Sequence, residues 1–405
     1  MIEPKLRFKA FSDELSHYAL MDIIVEKPSN GIMNRQSDKV TAVKHINVID
    51  MYTDDKIHVD ELSYSEYGDT AVEKCNVEIG DIFLTRSSVK ADGIAKSNIL
   101  LDDGIYVYDD HLIRLKVDKN NYIPEFVNDY LASPRFRRQF IVRAKTTAFT
   151  TIGQGDVASC TGDFPSLPEQ QKIADFLSTI DTVIEKQKET VSAWEERKKG
   201  MMQKLFSQEV RFKADDGSYF PDWEEKKIDD LFYKVNERNN GQFGKDKWIS
   251  VAKMYYQDED KVTSNNIDTR TYVMRVGDMS FEGHPNKEFK YGRFVVNDIG
   301  DGIISELFPI YRHKENYILK YWKYAIQVDS IMQKIYRKSI ISSGASSNKL
   351  DDDDFKRQSI LVPCLAEQQK IADCLSSFDE VIEKQKATLS AWEELKKGLL
   401  QQMFV

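Results

Sequence analysis

The sequence predicts an α+β fold in which two globular modules alternate with two long helices, the helices pairing as an antiparallel coiled coil about a pseudo-two-fold axis. Three observations carry this. A 42-residue segment occurs twice. Both copies keep a helical apolar spacing along their length. The stretch before each copy is strand-rich and carries similar landmarks in similar order.

The repeat is unambiguous. Pro165–Phe206 and Pro363–Phe404 align without gaps at an offset of 198 residues, with 29 of 42 positions identical. In the first copy Ile173, Leu177, Ile180, Ile184, Gln187, Val191 and Trp194 alternate steps of four and three. In the second, Ile371, Leu375, Phe378, Ile382, Gln385, Leu389 and Trp392 do the same. Sustained 4-3 spacing is the seam of a coiled coil, and a polar seam residue such as Gln187 or Gln385 can fix register at some cost in stability. Glu169 to Phe206 would make a helix of roughly 57 Å. A stripe of this kind commonly packs on its own domain. Here each helix carries the same seam, so each is the natural partner of the other, and two halves with one shared helix are expected to pack about a two-fold axis.

The modules repeat more loosely. Leu6-Arg7-Phe8 resembles Val210-Arg211-Phe212, Gly80-Asp81 parallels Gly277-Asp278, and Asn121-Tyr122-Ile123 parallels Asn316-Tyr317-Ile318. Runs such as Asp81–Thr85 and Arg293–Val296 read as strands. The expected boundaries are 1–164 and 207–362 for the modules, and 165–206 and 363–405 for the helices.

At 405 residues with 41% hydrophobic residues and a mean hydropathy of −0.51, the chain is expected to form more than one soluble domain. No run is long enough for a membrane span and the first residues lack the layout of a signal peptide, so a cytoplasmic location is expected. Cys75, Cys160, Cys364 and Cys374 form no C-x-x-C pair, and no metal site is expected. The formal charge of −9 runs against binding to phosphates, so the position of the cations matters more than their number.

Two kinds of segment supply them. Each module ends in a basic, hydroxyl-rich stretch. The first holds Arg135, Arg137, Arg138, Arg143, Lys145, Thr146 and Thr147, and the second Lys334, Arg337, Lys338, Ser342, Ser343, Ser346 and Lys349. Each also has a loop after its Gly-Asp strand: Thr85, Arg86, Ser87, Ser88, Lys90 and Lys96 in the first, and Ser280, His284, Asn286, Lys287, Lys290, Tyr291 and Arg293 in the second. Arg and Lys neutralise phosphates, hydroxyls bond to phosphate oxygens, and Arg, Lys and Asn address base edges. A solvated helix face and an ordinary loop would look the same; recurrence at the same place in two diverged modules favours DNA binding. A two-armed coiled-coil scaffold that binds only proteins is the alternative.

Catalytic signatures are missing. There is no phosphate-binding G-x-x-x-x-G-K-[ST], no dinucleotide fingerprint and no G-x-S-x-G elbow. Pro221-Asp222-Trp223-Glu224-Glu225-Lys226 and the run Asp351–Asp354 read as structural.

The two-module layout, with Leu167-Pro168-Glu169-Gln170-Gln171-Lys172-Ile173 and Leu365-Ala366-Glu367-Gln368-Gln369-Lys370-Ile371 opening the repeated helices, resembles the specificity subunits of Type I restriction–modification systems. The resemblance covers the whole chain. It is loose in the modules, and the first lacks the Phe-Pro-x-Trp that Phe220-Pro221-Asp222-Trp223 supplies in the second. It implies that the modules are target recognition domains, each reading one half of a split asymmetric DNA site, and that the helices set the gap. It implies no active site in this chain. Two methyltransferase subunits using S-adenosylmethionine would dock on it to modify an adenine in each half, and two motor–nuclease subunits can join with ATP and Mg²⁺. Those cofactors would belong to the partners.

Overall fold

A computed structural model describes residues 4–53, 55–286, 289–341 and 347–404. The chain divides into two compact units, one comprising residues 1–190 and 386–405 and the other residues 191–385. Each unit is therefore one module, the start of the helix that follows it and the end of the other long helix. The long helices are continuous over Leu167–Phe206 and Leu365–Met403.

Each unit is closed at its base by an antiparallel strand pair, Ser16–Ala19 with Thr161–Phe164 in the first and Glu224–Lys227 with Ser359–Val362 in the second. Above it lies a four-stranded antiparallel sheet. Its order in the first unit is Ser29–Asn30, Leu112–Leu115, Ile82–Thr85, Ser97–Ile99. In the second it is Phe232–Val235, Ile310–His313, Met279–Glu282, Arg293–Val296. The orders correspond strand for strand, so the weak sequence echoes mark one repeated topology. The modules differ beside this sheet. The first adds a second four-stranded sheet in which Val43–Ile46 runs parallel to Ile105–Tyr108, while the second has two separate strand pairs.

The repeated Gly-Asp begins the sheet's central strand. Gly80 and Gly277 have φ of +87° and +89°, a region open to glycine at little cost. The next residue turns a carboxylate inward. Asp81 accepts the Glu78 N–H at 3.0 Å and Asp278 the Arg275 N–H at 2.7 Å. Arg312 then holds Asp278 with two bonds of 2.7 and 2.8 Å, and Arg114 stands 3.5 Å from Asp81. Burial pushes the Asp81 carboxyl up to about 6 and raises that of Asp278.

The repeated Glu-Gln-Gln docks each helix start on its module. Glu169 is buried and takes Nε and Nη2 of Arg7, each at 2.7 Å. Glu367 takes the same atoms of Arg211 at 3.1 and 2.9 Å, and Nε1 of Trp223 at 3.1 Å. Gln170 and Gln368 donate to the carbonyls of Pro165 and Pro363, each at 2.9 Å. Asp222, within the segment read as structural, pairs with Arg211 at 3.2 Å. The acidic run is structural as well, since Asp351 caps the helix Asp352–Lys356 by accepting the Asp354 N–H at 2.8 Å.

The helix segments run antiparallel within each unit. In the first, Lys396 pairs with Asp181 at 2.5 Å, and Ile173, Leu177, Ile180 and Ile184 share a core with Met403 and Phe404, against which Leu389 and Trp392 pack. In the second, Lys198 pairs with Asp379 at 2.6 Å, Trp194 meets the Phe378 ring edge-on at 6.0 Å, and Ile371 and Leu375 share a core with Leu205 and Phe206. The two ion pairs are the same pair by the repeat offset. Val191 and Ile382 are buried, and Gln187 and Gln385 are half-buried. Each helix end also enters a module. Phe404 stacks on Tyr130 at 5.0 Å, and Phe206 packs on Tyr321 at 5.6 Å and Trp223 at 6.3 Å.

Candidate nucleic-acid interface

The basic stretches are the outer faces of two equivalent helices, Pro134–Arg143 and Asp329–Ser339. Phe136 and Phe140 point into the first core and Met332, Ile335 and Tyr336 into the second. Helical spacing then leaves Arg138 outward on one, and Lys334, Arg337 and Lys338 on the other.

The chain next turns to the loop after the Gly-Asp strand. In the first unit Lys145–Thr146, Thr150–Thr151 and Ser87–Ser88 form a three-stranded ribbon, with Thr150 opposite Ser88 and Thr151 opposite Ser87. The Ile152 N–H donates to the Arg86 carbonyl at 3.0 Å and prolongs the pairing. Two candidate segments some 60 positions apart thus become one surface. It carries exposed Arg86, Lys90, Lys145, Thr146 and Thr147, with Ser87 and Ser88 half-buried.

The second unit repeats the arrangement. Ile340–Ile341 pairs with Lys349–Leu350, and the Asn348 N–H donates to the Gly283 carbonyl at 2.8 Å. A Cβ on Gly283 would stand 2.1 Å from the Asn348 oxygen, so only glycine permits this approach. His284, Asn286, Lys290 and Lys349 are exposed beside it. Lys287, Ser342, Ser343 and Ser346 lie outside the described residues.

Several candidates have structural partners. Thr85 and Ser280 are fully buried, and their hydroxyls donate to the carbonyls of Gly93 and Pro309, each at 3.1 Å. They belong to the core and not to the contact surface, because this central strand is buried on both of its faces. Arg137 spends its guanidinium on the carbonyls of Ala95 and Asp92, each at 2.6 Å, bracing the loop from inside. Arg135 pairs with Asp163 at 2.7 Å. Burial would raise the Asp163 carboxyl, but hydrogen bonds from His17 and Arg135 hold it below its usual range. Arg143 donates to the Gln139 carbonyl at 3.3 Å. Arg293 donates to the Ala252 carbonyl and lies 4.6 Å over the Phe289 ring. Lys290 lies 5.5 Å over the half-buried Tyr291 ring, His284 bonds to the buried Glu282 at 2.5 Å, and Lys96 is half-buried.

One group on this surface went unread in the sequence. The turn Val48–Tyr52 comes beside Ser87, Ser88, Val89, Lys90, Lys96 and Phe149 around a single cleft. No local pattern marks that turn, since its place depends on pairing between distant strands. Nearby, Asp109, Asp110 and His111 bring oxygen and nitrogen atoms within 4.8 Å of one another. The Arg86 N–H donates to the His111 carbonyl at 2.7 Å, which ties that turn to the ribbon. No described helix is long and apolar enough to cross a membrane.

Comparison with known proteins agrees with this architecture. The family model for the Type I restriction modification DNA specificity domain matches residues 64–192 and 221–391. A putative type I restriction enzyme MjaX specificity subunit from Methanocaldococcus jannaschii is 24% identical over 93% of this chain and 90% of its own. The type I restriction enzyme MjaVIII specificity subunit of the same organism is 25% identical over 58% of this chain and 59% of its own. Among solved structures, the S subunit of a Type-I restriction-modification system from M. genitalium superposes with a TM-score of 0.52 at 14% identity, covering 100% of this chain and 99% of that one. A chain from a structural study of complex assembly and conformational transition in the type I R-M system gives 0.57 at 14% identity, covering 96% and 97%. With one domain match in each half and most of its length covered, the chain belongs to the type I restriction–modification DNA specificity family, whose members are non-catalytic subunits that recognise DNA sequence.

Proposed function

We propose that this chain binds a split, asymmetric DNA site, one half per module, and directs methyltransferase and restriction subunits to it. The observation that carries this reading is the convergence, in both modules, of the loop after the Gly-Asp strand with the segment after the basic helix. The first convergence gathers cations and hydroxyls, and the second cations, a histidine and an amide, each beyond the central strand of an equivalent sheet. Such groups fix a protein on phosphates and read base edges. The modules differ in these loops, so the two half-sites should differ. Because the long helices are one repeated element, they are the natural spacer, with half-sites about 10 bp apart centre to centre.

Two methyltransferase subunits, with or without two motor–nuclease subunits, are the proposed partners. S-adenosylmethionine, ATP and Mg²⁺ would be bound by them. A chain of net charge −9 then relies on its partners for part of the basic clamp, and binds DNA weakly alone and tightly in the complex.

The double variant R138E/K145E tests the interface. Both side chains are exposed, so the fold should persist. DNA affinity of the assembled complex should fall at least about tenfold at low salt, with a shallower salt dependence. Unchanged affinity would favour a protein-only scaffold.

A further inference from the structure

The cleft beside the first module's ribbon has an apolar wall. Val89 is 80% exposed, Phe149 57% and Tyr52 50%, and Val48 lines the cleft with them. They come from three distant segments: the turn Val48–Tyr52, the end of strand Ser87–Ser88, and the tip of the hairpin that closes where the Thr147 N–H donates to the Phe149 carbonyl at 3.0 Å. The packing here is close, since a Cβ on Gly93 would stand 2.4 Å from the Ser88 hydroxyl and 3.8 Å from that of Tyr52. Large apolar side chains gathered in the open and rimmed by polar groups mark a contact surface.

The rim identifies the occupant. Lys90, Lys96, Ser87 and Ser88 line the same cleft, and Arg86 and Lys145 are exposed on the adjoining ribbon. Among the described lining residues the one acidic side chain is that of Asp92, whose backbone carbonyl is held by Arg137 at 2.6 Å, and Asp50 lies in the adjoining turn. A surface with this charge suits a polyanion. The major groove of a DNA duplex offers one apolar group to such a wall, the C5 methyl of thymine.

We propose that Val48, Tyr52, Val89 and Phe149 read the C5 methyl of one or more thymines in the half-site recognised by the first module. The assignment rests on the DNA-reading role proposed above. It adds a chemical criterion, because this module selects A·T pairs by apolar contact as well as by hydrogen bonds. Cytosine at the same place would present a bare C5–H edge to the wall and a donor where thymine has an acceptor.

The test uses the chain assembled with its methyltransferase subunits, and duplexes carrying the site found by methylation mapping. Each thymine in turn is replaced by deoxyuridine, which removes the methyl and keeps the pairing. The wild-type complex should bind about fourfold more weakly at one or more positions of one half-site, the effect of losing one buried CH₂-sized group. V89A and F149A should bind the thymine and deoxyuridine duplexes equally at those positions, and behave as wild type toward the other half-site. Both side chains are exposed, and an unchanged melting temperature would confirm that folding is intact. Equal binding of thymine and deoxyuridine by the wild type at every position overturns the inference, as does discrimination that survives in both variants. So does weakened assembly of V89A or F149A with the methyltransferase subunits and no change in the thymine–deoxyuridine ratio, which would make the wall a protein contact. Failure of the wild-type complex to bind the mapped duplex at all is a separate result, and overturns the DNA-reading role itself.

Discussion

A buried carboxylate is costly unless a cation is held against it, and Arg7 and Arg211 supply that cation to Glu169 and Glu367 from the start of each module. Replacing Arg7 by Met strands Glu169, and the first unit should lose about 3 kcal/mol, read as a fall in its unfolding midpoint. R211M should cost the second unit less, because Trp223 still donates to Glu367. Both arginines and both glutamates stand out in the sequence as parallel motifs, yet nothing there joins residue 7 to residue 169; that pairing exists only once the helix start is docked. The half-buried Asp129 makes a second case. Burial pushes its carboxyl up to about 7, with Asp181 and Glu125 adding to the rise and Lys396 opposing it. The folded-state value lies above the unfolded value of 3.8, so the folded chain holds the extra proton between those limits. The stability this group contributes is present below that window and lost as pH rises through it. D129N should therefore match wild type near pH 4 and melt higher at pH 8. A wild-type melting temperature that rises with pH relative to D129N would contradict this.

At the scale of elements, the long helices were the most legible part of the chain, because their apolar spacing is local and repeated. Leu177 and Leu375 are fully buried at the positions the seam assigns them. L177A should destabilise the first unit by about 3 kcal/mol, measurable by denaturant titration, and a change within experimental error would show that the seam does not bear on stability. The strands were legible as strands, but their order was not, since sheet order depends on contacts between distant segments. The basic stretches show the same divide. Arg138 and Arg137 are neighbours in sequence, yet one faces solvent and the other braces the loop Asp92–Ala95 from inside. Composition could mark the basic segments but could not sort exposed side chains from supports, and it passed over Val48–Tyr52 because that turn carries no Lys or Arg.

For the whole molecule, duplication explains more than any single feature. Two units share a sheet order, a buried Arg–Glu dock, a Lys–Asp pair between helices and a meeting of two loops, while the side chains on those loops differ. Under the proposed reading of one half-site per module, one half of the specificity can change without disturbing the other. The central claim is that the chain sets where its partners act, and the most direct test is to map adenine methylation in DNA from cells that carry the methyltransferase partner with and without this chain. The expected result is a methylated, split, asymmetric motif that appears only when the chain is present. Unchanged methylation with the partner shown to be active and bound, or a motif that is continuous, would contradict it.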